Sequence, residues 1–175
     1  WSDNSLGVYF NVREFGQSNV YYTNLSGKIT KVSQGNHMLT MNDLVGNNAV
    51  ATWTNPSNPS DIVSFSVKKF NKIDRLTDVN NDIFYNVEFG KVEEINYKSV
   101  DGQIVQGWVV KPPQFDSNKK YPLVLRIHGG PHSMYNVGFN YNFQLHAAQD
   151  QVVLYTNPRG STGYGYDFAN AIQNA

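Results

Sequence analysis

Residues Tyr121–Tyr135 read YPLVLRIHGGPHSMY, and the fold turns on this stretch. Leu123–Ile127 is short and apolar except for Arg126, and Gly129, Gly130 and Pro131 close it abruptly. Such a run reads as a buried strand leaving through a turn whose backbone must come close to something. The same plan returns downstream, where Val152–Tyr155 is apolar and Asn157–Gly165 (NPRGSTGYG) is a second glycine-rich exit. Between them Phe143–Gln149 (FQLHAAQ) reads as helix. The order strand, glycine turn, helix, strand, glycine turn, helix predicts a βαβα unit with parallel strands and a right-handed crossover. Ligands of such sheets bind at the carboxyl ends of the strands, where both glycine turns lie.

Composition narrows the classes. A length of 175 residues is about one domain's worth. Lys+Arg 14 against Asp+Glu 14 gives no net charge, so nothing electrostatic points to nucleic acid or to an anionic membrane. Charged residues make up 16%, below the roughly 25% usual in soluble domains, and Asn (22 residues), Ser, Thr and Gln carry the polar load instead. Aromatics at 14% suit a β-rich chain. The absence of cysteine excludes a disulfide framework, a thiolate nucleophile and a Cys-ligated metal. No apolar run approaches the ~18 residues of a membrane-spanning helix. The first residues, WSDNSLGVYF, lack the basic start and apolar core of a signal peptide and read as the middle of a longer sequence, which leaves localisation open.

Upstream of the organising stretch lie short strands with turn chemistry between them: Val8–Val12, Asn19–Leu25, Lys28–Val32 after the Ser26-Gly27 turn, Ala49–Thr54, Asp61–Val67 and Lys72–Leu76. Laid on itself at an offset of 42, the segment matches NVYYTNL to DIVSFSV, and AVATWT falls near VYFNV. A period near 40 with several strands per copy fits propeller blades, with a β-sandwich fragment as the alternative. Thr77–Glu88 is rich in Asn and Asp, which favours turns over helix. Glu93–Lys98 and Ile104–Val110 form a hairpin around Asp101-Gly102. Tyr166–Asn174 begins a second helix, with Phe168, Ala171 and Ile172 on its apolar face.

H-G-G-P-H-x-M-Y after one strand and N-P-R-G-S-T-G-Y-G after the next resemble the hydrolase domain of the prolyl oligopeptidase family of serine peptidases, in its acylaminoacyl-peptidase and dipeptidyl-peptidase-like branch. The likeness is strong from about Ile95 onward and looser before it. It implies β-propeller blades followed by the N-terminal half of an α/β-hydrolase domain, a mixed, β-rich fold. Residues 1–82 would be the last blades and residues 83–175 the start of the peptidase domain. It further implies a parent enzyme that cleaves short peptides through an acyl-enzyme, with the propeller restricting access to small substrates. Trp1-Ser2-Asp3 resembles the W-S-x-D-G beginning of a blade strand, with Asn4 departing from it, and Asp150 stands where relatives carry a glycine helix cap.

Serine-peptidase chemistry needs a serine on a strand-to-helix elbow, G-x-S-x-G, followed by Asp and His. No serine here has that frame; Ser161, in Gly160-Ser161-Thr162-Gly163, is the nearest, with its second glycine one residue early. The resemblance implies that nucleophile, acid and base lie in the remainder of the parent chain, and these residues alone are expected to be inactive. What the chain would supply is an oxyanion-hole donor, a backbone N–H aimed at the developing negative charge. By resemblance this is Gly130; the plain reading is a tight turn that only leaves the strand. The resemblance implies that His128 packs beneath the turn, and His37, His132 and His146 show no metal spacing. Arg126 needs a carboxylate partner or an open cleft. Arg159 either holds its loop or lines the substrate site, and Tyr135 and Tyr164 line the pocket or belong to the core. No cofactor, metal, nucleic acid or membrane is implied; the expected partners are a short peptide substrate and the rest of the parent chain. The alternatives are a propeller-based binding module with an inactive hydrolase half, and an esterase of the same fold.

Overall fold

The computed structural model describes residues Trp1–Gln173. Two compact units are present, one of Trp1–Tyr85 with Asn136–Phe139, the other of Asn86–Tyr135 and the chain from Asn140.

In the first unit, β1 (Gly7–Glu14), β2 (Gln17–Asn24) and β3 (Ile29–Lys31) form one antiparallel meander. β4 (Met38–Val45), β5 (Asn48–Asn55), β6 (Asn58–Ser66) and β7 (Asp74–Arg75) form a second. A single parallel bridge, Ser18 to Met38, joins them. The segments related by the offset of 42 occupy corresponding strands, β2 and β6, of successive meanders and do not pair with each other. The repeat is that of neighbouring propeller blades. Alternation buries Val20, Leu39, Ala49, Ala51, Val63, Phe65 and Val67 in one core. Across the β5–β6 ladder Ala49 faces Phe65 and Ala51 faces Val63, so small residues make room for large ones.

Two elements differ from the sequence reading. β4 has no clean alternation because a bulge between Met41 and Asp43 breaks its register, and the Asn42 Oδ1 there accepts the Thr52 N–H at 2.8 Å. Asn81–Phe84 forms one helical turn, α1, within the segment expected to hold only turns, and its N-cap, Asn80, makes no side-chain capping bond. The asparagine load also gains an explanation. Asn4, Asn24, Asn55 and Asn136 each accept the backbone N–H two residues on, building Asx-turns without adding charge.

The second unit holds β8 (Lys91–Lys98), β9 (Ile104–Lys111), β10 (Leu123–Arg126), α2 (Tyr141–Ala148), β11 (Val152–Asn157) and α3 (Tyr166–Asn170). The sheet order is β10-β11-β9-β8, parallel between β10 and β11 and antiparallel elsewhere. α2 covers one face: Phe143 and Ala147 are buried, as are Trp108, Val110, Val153 and Tyr155 of the strands, and the Phe143 and Tyr155 rings lie 4.7 Å apart. The Gln144 carboxamide accepts the Gly90 N–H at 2.7 Å and donates to the Gly90 carbonyl at 3.1 Å. The expectation that Leu123–Ile127 is buried fails. Leu123, Leu125 and Ile127 are 62%, 54% and 74% exposed, because β10 is the edge strand and these side chains point away from α2. Arg126 is correspondingly exposed and lies over the Phe143 ring at 5.9 Å instead of meeting a carboxylate. Helix α3 ends at Asn170, and the expected last residue, Asn174, lies outside the described residues.

α2 ends in a Schellman motif. The Asp150 N–H reaches the Ala147 carbonyl at 3.1 Å and the Gln151 N–H reaches the His146 carbonyl at 3.2 Å, with Asp150 at φ 56°. An L-residue pays a steric cost there that glycine does not. Asp150→Gly is therefore predicted to stabilise the chain by about 1 kcal/mol in urea denaturation.

A second prediction concerns pH. His37 is buried, and its Nε2–H donates to the Asn19 Oδ1 at 3.2 Å, an oxygen that also accepts the Ser33 hydroxyl at 3.1 Å. Burial, with the Lys31 charge, pushes its pKa down to about 4. The unfolded chain then binds a proton that the folded chain refuses, so this contribution is complete above about pH 6.5 and is lost as pH falls towards 4. The loss should reach about 3 kcal/mol. Denaturant midpoints across that window should flatten in His37→Gln; an unchanged slope would contradict a buried neutral imidazole.

Candidate functional site

Parallel pairing of Leu123–Arg126 with Val152–Tyr155 sends both glycine-rich turns out from the same edge of the sheet. The first leaves at Gly129 and Gly130, with Gly130 at φ 132° and the Gly130–Pro131 peptide cis. A Cβ on Gly130 would stand 3.1 Å from the His132 nitrogen, so conformation and space both require glycine. Gly130 is exposed, and among the described residues its N–H has no acceptor. The turn closes on itself beyond that point, with the Ser133 N–H donating to the Pro131 carbonyl at 2.8 Å.

The second turn holds the first in place. The Thr162 N–H donates to the Ser133 carbonyl at 2.9 Å, and the His132 Nδ1–H donates to the Gly160 carbonyl at 3.2 Å. Gly160, at φ 94°, touches Pro131 so closely that a Cβ would lie 3.3 Å from the proline's own. Asn157 bonds both main-chain groups of Tyr135. Each of these contacts crosses from one loop to its neighbour.

His128 and Ser161 also meet, with Nε2 and Oγ 3.0 Å apart. That distance suits a nucleophile and its base, but the surroundings do not. Ser161 has 0% exposure, and its hydroxyl donates to the Pro158 carbonyl at 2.6 Å. With that proton committed to the Pro158 carbonyl, the hydroxyl is not poised to pass it to His128. On the other side of the ring Nδ1 faces the Gly129 carbonyl at 3.1 Å, where a triad would place a carboxylate. The pair is a strut between the two turns.

Arg159 forms an ion pair with Asp101 at 2.8 Å, tying the second turn to the tip of the β8–β9 hairpin. Burial raises the Asp101 carboxyl, but the Gln103 N–H and the Arg159 charge outweigh it and leave it below its ordinary value. Tyr135 is half-buried, edge-on to His128 and Tyr155 at 5.1 and 5.3 Å. The Tyr164 hydroxyl accepts from Asn157 and donates to Gln106, and burial pushes its pKa up to about 12. Gly130, Tyr135, Arg159 and Tyr164 thus lie on the two turns; among the described residues the Gly130 N–H and the Tyr135 hydroxyl are left without a partner, while Arg159 is paired with Asp101 and the Tyr164 hydroxyl with Asn157 and Gln106. Sequence reading gave Asn157 no role; its one signal was a polar residue ending an apolar strand just before proline.

The geometry can be set beside known proteins. Residues 137–175 match the prolyl oligopeptidase family. The whole chain is 34% identical to the uncharacterised peptidase YuxL of Bacillus subtilis, over 99% of its own length and 26% of that protein's. The chain is similar to members of the prolyl oligopeptidase family. It is also 30% identical to dipeptidyl-peptidase 5 of Porphyromonas gingivalis, over 98% of this chain and 25% of that one. The acylaminoacyl peptidase of Pyrococcus horikoshii superposes with a TM-score of 0.82 at 29% identity, covering 96% of this chain and 26% of its own. The chain thus spans about a quarter of the length of these family members.

The burial of Ser161 can be checked directly, because the chain has no cysteine of its own. A Ser161→Cys variant is predicted to resist iodoacetamide when folded and to react once denaturant is added. Rapid alkylation of the folded chain would show the site to be open.

Proposed function

We propose that these residues form the oxyanion side of the active site of a serine peptidase that cleaves short peptides through an acyl-enzyme. One observation carries the reading: a glycine N–H without an acceptor at the carboxyl end of a parallel strand, in a turn braced from the neighbouring loop. The group is exposed and has no protein acceptor among the described residues, in a turn held by its neighbour, so it is open to a ligand oxygen. When a serine hydroxyl adds to a peptide carbonyl, the carbonyl oxygen takes the negative charge, and a donor already in position stabilises it by about 3 kcal/mol. The second donor of such a site is the N–H following the nucleophile. Nucleophile, aspartate and histidine would come from elsewhere in the whole protein, since no serine in these 175 residues stands in an elbow frame. The names of its relatives, a dipeptidyl-peptidase and an acylaminoacyl peptidase, support release of short amino-terminal units as the reaction.

The test uses the whole protein, assayed with aminoacyl and dipeptidyl nitroanilides and a fluorophosphonate probe. Gly130→Ala keeps the N–H but strains a turn held at φ 132°, and by moving the donor it is predicted to lower kcat on the order of 100-fold with little change in KM. In a crystal with a boronate on the nucleophile, one inhibitor oxygen should lie about 3 Å from the Gly130 nitrogen. The 175 residues alone should remain unlabelled. Labelling at Ser161, or a Gly130 N–H bonded within its own turn and unmoved by the inhibitor, would overturn the reading.

A further inference from the structure

We propose that Asn157 is a positioning residue that aims the Gly130 N–H by holding the peptide of Tyr135. The proposal rests on the oxyanion reading of Gly130. Asn157 ends β11 and has no exposed surface. Its carboxamide meets the Tyr135 main chain as a neighbouring strand would. Oδ1 accepts the Tyr135 N–H at 2.7 Å, and Nδ2 donates to the Tyr135 carbonyl at 2.9 Å.

The order of donors leaves one orientation for this amide. The second Nδ2 proton goes to the Tyr164 hydroxyl at 2.7 Å, and that hydroxyl donates onward to the Gln106 Oε1 at 2.5 Å. A flipped carboxamide would set oxygen against the Tyr135 carbonyl and N–H against its N–H, losing both main-chain bonds. Gln106 belongs to β9, which flanks β11 on the side opposite β10. The far end of the oxyanion turn is therefore anchored to the middle of the sheet. Its near end, at Gly129 and Gly130, leaves β10 with both N–H groups unbonded among the described residues. A turn of two glycines has no preferred direction of its own. Its direction is set where it is held: Ser161 is a fully buried hold on the side of His128, and Asn157 is the fully buried hold at the far end.

The experiment compares Asn157→Asp and Gln106→Leu with the wild type, all as whole protein. Asp keeps the size and the acceptor for the Tyr135 N–H but loses both donated bonds; Leu removes the last acceptor of the chain and leaves Asn157 in place. Displacing a reacting group by about 1 Å costs on the order of 100-fold in rate. Asn157→Asp is expected to lower kcat by 10- to 100-fold with KM changed little. Inhibition by a boronate should weaken by the same factor, while a ground-state competitive peptide keeps its Ki. A purely structural role would weaken both inhibitors together or neither, and either result would sink the proposal. Gln106→Leu should show the same split to a smaller degree, and it decides the matter alone if Asn157→Asp fails to fold. If fluorophosphonate does not label the wild-type whole protein, the peptidase reading falls and this inference with it. A labelled wild type whose variants keep their boronate discrimination would remove this inference alone.

Discussion

The parallel contact between Leu123–Arg126 and Val152–Tyr155 is what the candidate site depends on. Two strands running the same way release their loops at the same edge. Here one loop is glycine-rich where a backbone group must be presented, and the other carries the polar residues that brace it. His128 and Ser161, 33 positions apart in sequence, are brought together because each follows shortly after its strand's end. The same register makes Asn157 and Tyr135 partners. In an antiparallel pair the two exits would lie at opposite ends, and none of these bonds would form.

Much of this arrangement was legible before any coordinates. The βαβα order, the offset of 42 and the hairpin at Asp101-Gly102 depend on local patterns of apolar residues and turn formers, and local patterns survive into the fold. β4 was not legible, because its bulge removes the period by which a strand is recognised. The exposure of Leu123 and Leu125 was not legible either: composition tells how apolar a strand is, but the neighbours that cover it are a matter of topology. At the site, glycines announced the presenting turn. The bracing residues stayed hidden, since Asn157 and Ser161 look like ordinary members of a polar loop and acquire meaning only through partners distant in sequence.

The chain meets its need for polar contacts largely without ions. Asparagine side chains make turns at Asn4, Asn24, Asn55 and Asn136, start α2 at Asn140, and join β1 to β4 through Asn11, which donates to the Leu39 carbonyl and accepts the Met41 N–H. A carboxamide both donates and accepts, so it can replace a missing strand neighbour in full, and it does so without the desolvation cost of a buried charge. The clamp at Asn157 is a fully buried instance of a device used throughout. Where a charge is buried, as at Asp61, it is well supplied with partners: Arg75, the Thr77 hydroxyl and the Val79 N–H.

The bare flank of β10 has a bearing on how the 175 residues behave in solution. Its leucines face water, and its outer backbone groups lack a strand beside them among the described residues. An apolar edge of that kind is a template for joining a second chain. Ordinarily like charge keeps such edges apart, yet this sequence balances 14 basic against 14 acidic residues and has a pI of about 7.1. Near neutral pH, then, mutual repulsion is weakest where self-association is most favoured, and moving the buffer away from neutrality works as a colloidal remedy.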